Sequence, residues 1–446
     1  MQDAVVIIGG GWAGIAAGVE LTRHGVPVTL LESARQPGGR ARTVETRDLT
    51  VDNGQHLLIG AYHATLQLID RLGLPEREVL LRLPLGLEVR SPAAATVQLK
   101  APALPAPLHL LVALLRARGI RWDDKFRALR GLPRLMRWSG QGAHEEDISV
   151  SQLLERFGQP PVLVQALWEP LCIAALNVDP AQACARTFAR VLHESFATTR
   201  AASDLLVPRR PLGDVLPGPG AHYIAAHGGE VRLGERALGL EAAGPTGTLT
   251  VRTEREALDA HDVVVATSPI AAERLLGNFP QTAEALSRLN ALGDEPIVTV
   301  YLQYAEDTRL DTPMIGLRDT VAQWVFDRRV AGQPGLLAVV ISAQGAHMDL
   351  DNTALASAVA AELARVFTHL GPPRDSLVIR EKRATFRCLP GSDAHRPGNR
   401  TVRHGLWLAG DYTDTGLPAT LEGAVRSGLE CAHAILKRRN IEIKAC

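Results

Sequence analysis

Gly9-Gly10-Gly11-Trp12-Ala13-Gly14 contains the spacing G-x-G-x-x-G, and a carboxylate, Glu32, follows eighteen residues later. This combination can hold a dinucleotide. Gly9 allows a tight turn, Gly11 lets the backbone approach a pyrophosphate, and Gly14 lets a helix pack closely on a strand. The diphosphate would rest on the helix N-terminus near Trp12 and Ala13, where free N–H groups and the helix dipole favour anions. Glu32 stands where a carboxylate accepts from an adenosine ribose, and it would repel a 2′-phosphate, which argues against an NADP-type ligand. The spacing alone is weak. Its context carries weight: the apolar run Ala4–Ile8 before it, a helix to His24, Gly25, then the strand Val28–Glu32.

Three further runs carry polar chemistry. Pro37-Gly38-Gly39-Arg40-Ala41-Arg42 sets two arginines beside the expected diphosphate, either as clamps on phosphate oxygens or as solvated surface residues. Asp52-Asn53-Gly54-Gln55-His56 interrupts apolar sequence and reads as a simple turn or a site loop. Gly410-Asp411 ends a strand, and Leu417-Pro418 is expected to open a helix running to Lys437, with Pro418 in its first turn. Asp411 could accept from ribityl hydroxyls or anchor loop amides. The positive helix end suits a group that becomes negative, such as the N1–C2=O locus of a reduced flavin.

The elements that must position these residues follow the order of an α/β protein. Buried strands are expected at Ala4–Ile8, Val28–Glu32, 261–267 and 407–411, with further strands at 230–233, 238–241, 248–253, 297–304 and 335–342. Helices are expected at 61–72, with Leu66, Ile69 and Leu72 inward, at 211–228 and at 354–369. Residues 150–195, with Trp168 read as core, suggest a mostly helical lobe. The expected fold is a Rossmann-like nucleotide-binding domain built from discontinuous segments (1–80, 211–275 and 400–440). An inserted mixed α+β substrate domain rich in helices (81–210 and 276–399) completes it.

With 446 residues and 46% hydrophobic content, the chain can bury the cores of two or three lobes. Basic and acidic residues both number 48, so bulk charge implies no nucleic-acid partner. Five scattered cysteines, with no C-x-x-C, argue against a zinc site or disulfide scaffold and for a reducing, cytoplasmic compartment; no metal is expected. One stretch is unusual. Leu108–Leu115 is strongly apolar, and residues 116–138 hold eight basic residues against Asp123 and Asp124. Asp123 could cap a helix with Trp122, Phe126 and Leu129 in one stripe, and a break is expected at Gly131 and Pro133. The pair reads either as an interfacial element on an anionic membrane or as a core helix with a solvated arginine face.

These runs, Gly9–Gly14 with Glu32, Gly38-Gly39-Arg40 and the C-terminal Gly-Asp strand–helix element, resemble the FAD-containing amine oxidase and phytoene desaturase superfamily. Ala266-Thr267 is similar to its middle FAD segment. Within it, residues 52–56, Glu381-Lys382-Arg383-Ala384-Thr385-Phe386, 409–413 and 417–424 resemble the bacterial hydroxysqualene dehydroxylase family. The resemblance implies non-covalent FAD held by Gly9, Gly11, Trp12, Ala13, Gly14, Glu32, Gly39, Arg40, Gly54, Gln55, Ala237, Thr267, Gly410, Asp411, Leu417, Pro418 and Ala419. It also implies reduction of hydroxysqualene to squalene for hopanoid synthesis, and the apolar and basic segment from Leu108 to Arg137 is the candidate peripheral contact with the inner face of the membrane. Amine oxidases of this superfamily typically have a lysine where Asp294-Glu295-Pro296 stands here, and they cage the amine with aromatics, which make up only 4% of this chain. The reaction needs a general acid for the departing hydroxyl, with hydride from flavin N5. His56 is the first candidate acid and Asp52 the second. The same fold also serves carotenoid desaturases and non-catalytic prenyl-lipid carriers, and no second nucleotide motif identifies the electron donor.

Overall fold

The computed structural model describes residues 4–46, 49–139, 147–243 and 247–443. A five-stranded parallel sheet has the order Glu230–Leu233, Val28–Glu32, Val5–Ile8, Asp262–Val265 and Leu406–Leu408. Its strands come from the beginning, middle and end of the chain. Val5–Ile8 lies central and fully buried, which suits a strand with no polar face. Helix Trp12–Arg23 returns over one face, and helix Leu421–Arg438 packs beside it so closely that a Cβ at Gly428 would lie 2.1 Å from the Ala13 carbonyl oxygen. Asp262, fully buried, accepts from Trp407 Nε1 at 2.8 Å and from Arg439 at 2.8 and 2.9 Å, locking that last helix onto the sheet.

A seven-stranded sheet runs Asp375–Phe386, Asp294–Gln303, Leu336–Ser342, Trp324–Asp327, Met314–Leu317, Gly86–Arg90 and Val97–Lys100. Period-two alternation gives it two apolar faces. Val339 and Ile341 pack with Leu355, Val359 and Leu363 of helix Asn352–Val366, whereas Ala338 and Val340 join Trp324 and Phe326 on the other side. The helices Leu108–Arg116, Trp122–Arg137, Val150–Arg156, Glu169–Leu176 and Ala185–Phe196 share a separate core around Trp168 and Phe188. A small sheet pairs Leu205–Pro208 with both Leu58–Ile59 and Leu80–Leu83, joining residues on either side of the boundary expected at 80/81. Among the described residues, no helix is long and apolar enough to cross a membrane.

Several local expectations change. The C-terminal helix starts at Leu421 rather than at Leu417-Pro418. Thr420 Oγ1 accepts from Gly423 N at 3.0 Å, and this cap outcompetes the proline signal. Asp123 is not a cap; Arg121 holds that position and Asp123 sits in the first turn, where a carboxylate complements the dipole. The helix continues through Gly131 and Pro133 to Arg137. In helix His63–Arg71 the buried apolar residues are Leu68 and Ile69, with Leu66 and Leu72 half-buried at the core's margin. Trp122 and Phe126 face solvent, not the core.

Candidate functional site

Every parallel strand except the edge strand Glu230–Leu233 ends at one cavity, and that edge strand is followed by Glu235, which also lines it. Gly9 follows the first strand, Glu32 closes the second, Ala266 and Thr267 follow the third, and Gly410 and Asp411 follow the last. Ligands of open α/β sheets bind beyond the carboxyl ends of the strands for this reason: loops and helix N-termini converge there. The cavity measures about 960 Å³ and continues into an arm walled by Leu85, Leu87, Leu167, Met314, Trp324 and Phe326. A polar cradle thus runs into an apolar chamber built from the seven-stranded sheet and the helical lobe.

The cradle fits a dinucleotide. Gly9 adopts φ +112°, and a Cβ there would lie 2.5 Å from the Ala266 carbonyl oxygen. A Cβ on Gly14 would lie 2.0 Å from Gly9 O, so Gly14 is required for packing and does not itself line the cavity. Gly11 differs: a Cβ there would meet nothing nearer than Gly39 Cα at 3.9 Å, leaving open room over the helix N-terminus where Trp12 and Ala13 begin the first turn. Glu32 accepts from Gly10 N and Ala34 N, each at 2.7 Å, which fixes its carboxylate at the strand end. Ala237 and Thr267 line the same end.

Arg40 does not lie free over a diphosphate. Its Nη2 donates to Asp411 Oδ1 and its Nη1 to the Ala384 carbonyl at 2.7 Å, so it ties the Gly38-Gly39 loop to the C-terminal run and to strand Asp375–Phe386. Asp411 is accordingly an ion-pair partner as well as a cavity wall. Leu417, Pro418 and Ala419 line the cavity just ahead of the capped helix.

The 52–56 run separates into structural and cavity-facing parts. Asp52 is buried and does not reach the cavity: Oδ1 accepts from Leu212 N at 2.7 Å and Oδ2 faces Arg328 Nη1 at 3.5 Å. Burial raises its pKa, opposed by Arg328 and the Leu212 amide. Its neighbours do face the cavity. Gln55 is oriented at both ends of its amide: Oε1 accepts from Arg328 at 2.8 Å and Nε2 donates to the His56 carbonyl at 3.0 Å. His56 Nδ1 lies 2.6 Å from the Gly54 carbonyl, so in the neutral ring Nδ1 carries the proton and Nε2 is bare. Burial lowers the His56 pKa, while the Gly54 carbonyl and Asp52 pull it back up. Among the described residues no lysine lines the cavity; Ile297 is the residue of strand Asp294–Gln303 that does.

Sequence reasoning does not single out Asn177, nor give roles to Glu381 and Glu422. Asn177, in a left-handed conformation at φ +54°, ends helix Glu169–Leu176 and donates to Pro296 O and Thr385 Oγ1 while accepting from Ala343 N. A helix-ending asparagine is legible as a C-cap, but its partners are not. Glu381 accepts from Asn53 Nδ2 at 3.0 Å, linking two motif runs across the cavity. Glu422 accepts from Ala64 N and Thr65 N, satisfying the free amides of helix His63–Arg71 from a distant segment.

Known proteins resemble this chain in sequence and fold. Residues 12–436 match the model of the flavin containing amine oxidoreductase family. The chain is 31% identical to a hydroxysqualene dehydroxylase of Rhodopseudomonas palustris over 98% of this chain and 99% of the relative. It is 26% identical to the zeta-carotene desaturase of Zea mays, covering 95% of this chain and 82% of the relative. A solved structure of a putrescine oxidase triple mutant superposes with a TM-score of 0.74 at 17% identity, covering 98% of this chain and 99% of that one, a likeness of fold.

Proposed function

This chain belongs to the flavin containing amine oxidoreductase family, is an FAD-dependent oxidoreductase, and on that footing we propose that its substrate is a long isoprenoid alcohol. The reaction we assign is reductive removal of the hydroxyl of hydroxysqualene to give squalene. The observation that carries the reading is the junction of a dinucleotide cradle with an apolar arm that, among the described residues, holds no lysine, together with full-length similarity to a relative named for this reaction. An apolar chamber suits a C30 chain and excludes water.

Bound in its reduced form, FAD supplies the hydride. The chain's own residues do the rest. The Gly9–Gly14 turn, Glu32 and Thr267 would hold the nucleotide end. Arg40 and Asp411 join two loops of the cavity wall that would hold the cofactor. His56, once protonated, presents Nε2–H to the substrate hydroxyl while the Gly54 carbonyl keeps Nδ1 fixed. The allylic C–O bond then breaks as that proton passes to oxygen, and water leaves. Asp52 supports this loop through Arg328 and Leu212 rather than touching substrate. The lobe division at 1–80, 211–275 and 400–440 is retained as the boundary between nucleotide and substrate parts.

The similarity to a carotene desaturase favours a second reading, oxidation of a polyene in the same chamber. Separate incubations of the purified holoprotein with hydroxysqualene and with phytoene distinguish them. Squalene from the first and no product from the second is expected; a desaturated product from phytoene alone would replace the first reading. A substrate that dissolves in bilayers also makes the protein a peripheral visitor of the membrane, on its cytoplasmic side.

A further inference from the structure

Among the described residues nine large apolar side chains are exposed, and four of them fall in one stretch: Leu104 (36%), Leu108 (51%), Trp122 (60%) and Phe126 (59%). Trp122 and Phe126 are one helical turn apart, with ring centroids 6.1 Å apart, so they form a single aromatic surface. A core stripe would not leave two large rings in water. Lys125 sits with Nζ 4.4 Å from the Trp122 ring centroid and donates to the Leu115 carbonyl, fixing this helix against the preceding one.

Helix Leu108–Arg116 is apolar on both sides. Its polar interior residue, His109, is buried, and Leu110 and Leu114 share a core with Leu85 and Leu167, which line the cavity. Leu108 is exposed on it, and Leu111, Val112 and Leu115 remain only partly covered. A helix that is apolar all round requires a second apolar medium. The charges beside it specify which. Arg116, Arg118, Arg121, Arg127 and Arg130 are all exposed, against Asp123 and the partly covered Asp124. Exposed aromatics in a segment that also exposes five arginines match an anionic lipid surface, where rings enter the acyl boundary and guanidinium groups meet phosphates.

We propose that the face carrying Leu104, Leu108, Trp122 and Phe126 docks on a bilayer containing acidic phospholipid, one helix away from the apolar arm of the cavity. This rests on the peripheral-membrane reading above and names its surface and lipid class. Substrate would then pass from the acyl region to the chamber along or beneath helix Leu108–Arg116, without crossing water.

The test is co-sedimentation of the FAD-loaded full chain with phosphatidylcholine vesicles, with and without phosphatidylglycerol. Binding that requires phosphatidylglycerol and weakens with salt is expected. Trp122→Ser with Phe126→Ser should lower the bound fraction at least about tenfold, and Arg127→Glu with Arg130→Glu should abolish the lipid preference. Retained flavin absorbance in each variant establishes folding. Failure of the unaltered protein to bind mixed vesicles, or equal binding by the variants, overturns the proposal. So does a dimer that the Trp122 and Phe126 changes dissociate in the absence of vesicle binding. Squalene formation in detergent micelles is read separately and reports on the reaction alone.

Discussion

Arg40 and Asp411, 371 residues apart in sequence, form an ion pair at the wall of the cavity. The pair closes the Gly38-Gly39 loop against the C-terminal run, so two distant segments wall one cavity. Asp411 is nearly buried and Arg40 is about one-third exposed, which limits the strength of the pair. Arg40→Leu is expected to cost about 1.5–3 kcal/mol of stability, because the Asp411 carboxylate loses a charged donor. Flavin should be lost on gel filtration. Thermal melts and the ratio of flavin to protein absorbance check both outcomes.

Gly11 and Gly14 separate folding from binding. Gly14→Ala forces its Cβ against the Gly9 carbonyl and is expected to yield misfolded or poorly soluble protein. In Gly11→Val the added Cβ has room among protein atoms, and the side chain fills the space over the helix N-terminus. It should fold, with an unchanged far-ultraviolet spectrum, and purify colourless. A yellow Gly11→Val protein would remove the diphosphate from that position.

Asp52 is expected to behave as a structural residue. Asp52→Asn keeps the acceptor for Leu212 N but removes the charge facing Arg328, which is only 2% exposed. Stability should fall by about 3 kcal/mol, as when one partner of a buried pair is lost, with kcat changed less than about threefold. A kcat loss of about 100-fold at unchanged Tm would instead assign Asp52 a proton in the reaction.

His56 gives a signed pH dependence. Its pKa in the folded chain is lowered, chiefly by burial, so the unfolded chain binds its proton at higher pH. Stability from this residue is therefore complete above the ordinary histidine value of about 6.5 and is lost as pH falls toward the folded value. His109 and His347, also lowered by burial, act in the same direction. His56→Gln should flatten part of this acid limb in urea titrations. For turnover the sign is the reverse: the donor must carry a proton on Nε2, so kcat should rise as pH falls through the His56 pKa. His56→Gln should lower kcat at least about 100-fold. A variant with full turnover and an unchanged pH profile would take His56 out of that role.

What was legible in the sequence was local. Strand, glycine turn, helix and terminal acid lie within residues 5–32, and each is specified by its neighbours. The cross-cavity partners Asp411 of Arg40, Pro296 and Thr385 of Asn177, and Asn53 of Glu381 lie 119 to 371 residues away, and no spacing rule reaches them. Trp122 and Phe126 show a different limit. Periodicity identified their stripe, but a period does not say whether the medium facing it is protein, lipid or water. Pro418 shows a third: the proline suggested a helix start, but Thr420, two residues later, is the cap because its hydroxyl satisfies the Gly423 amide.

Anaerobic single turnover examines the whole reading at once. The bound flavin is reduced, excess reductant is removed, and hydroxysqualene is added while the flavin spectrum is followed and the products are extracted. Reoxidation in step with an equal amount of squalene is expected. A flavin that stays reduced, with hydroxysqualene recovered intact, would contradict it.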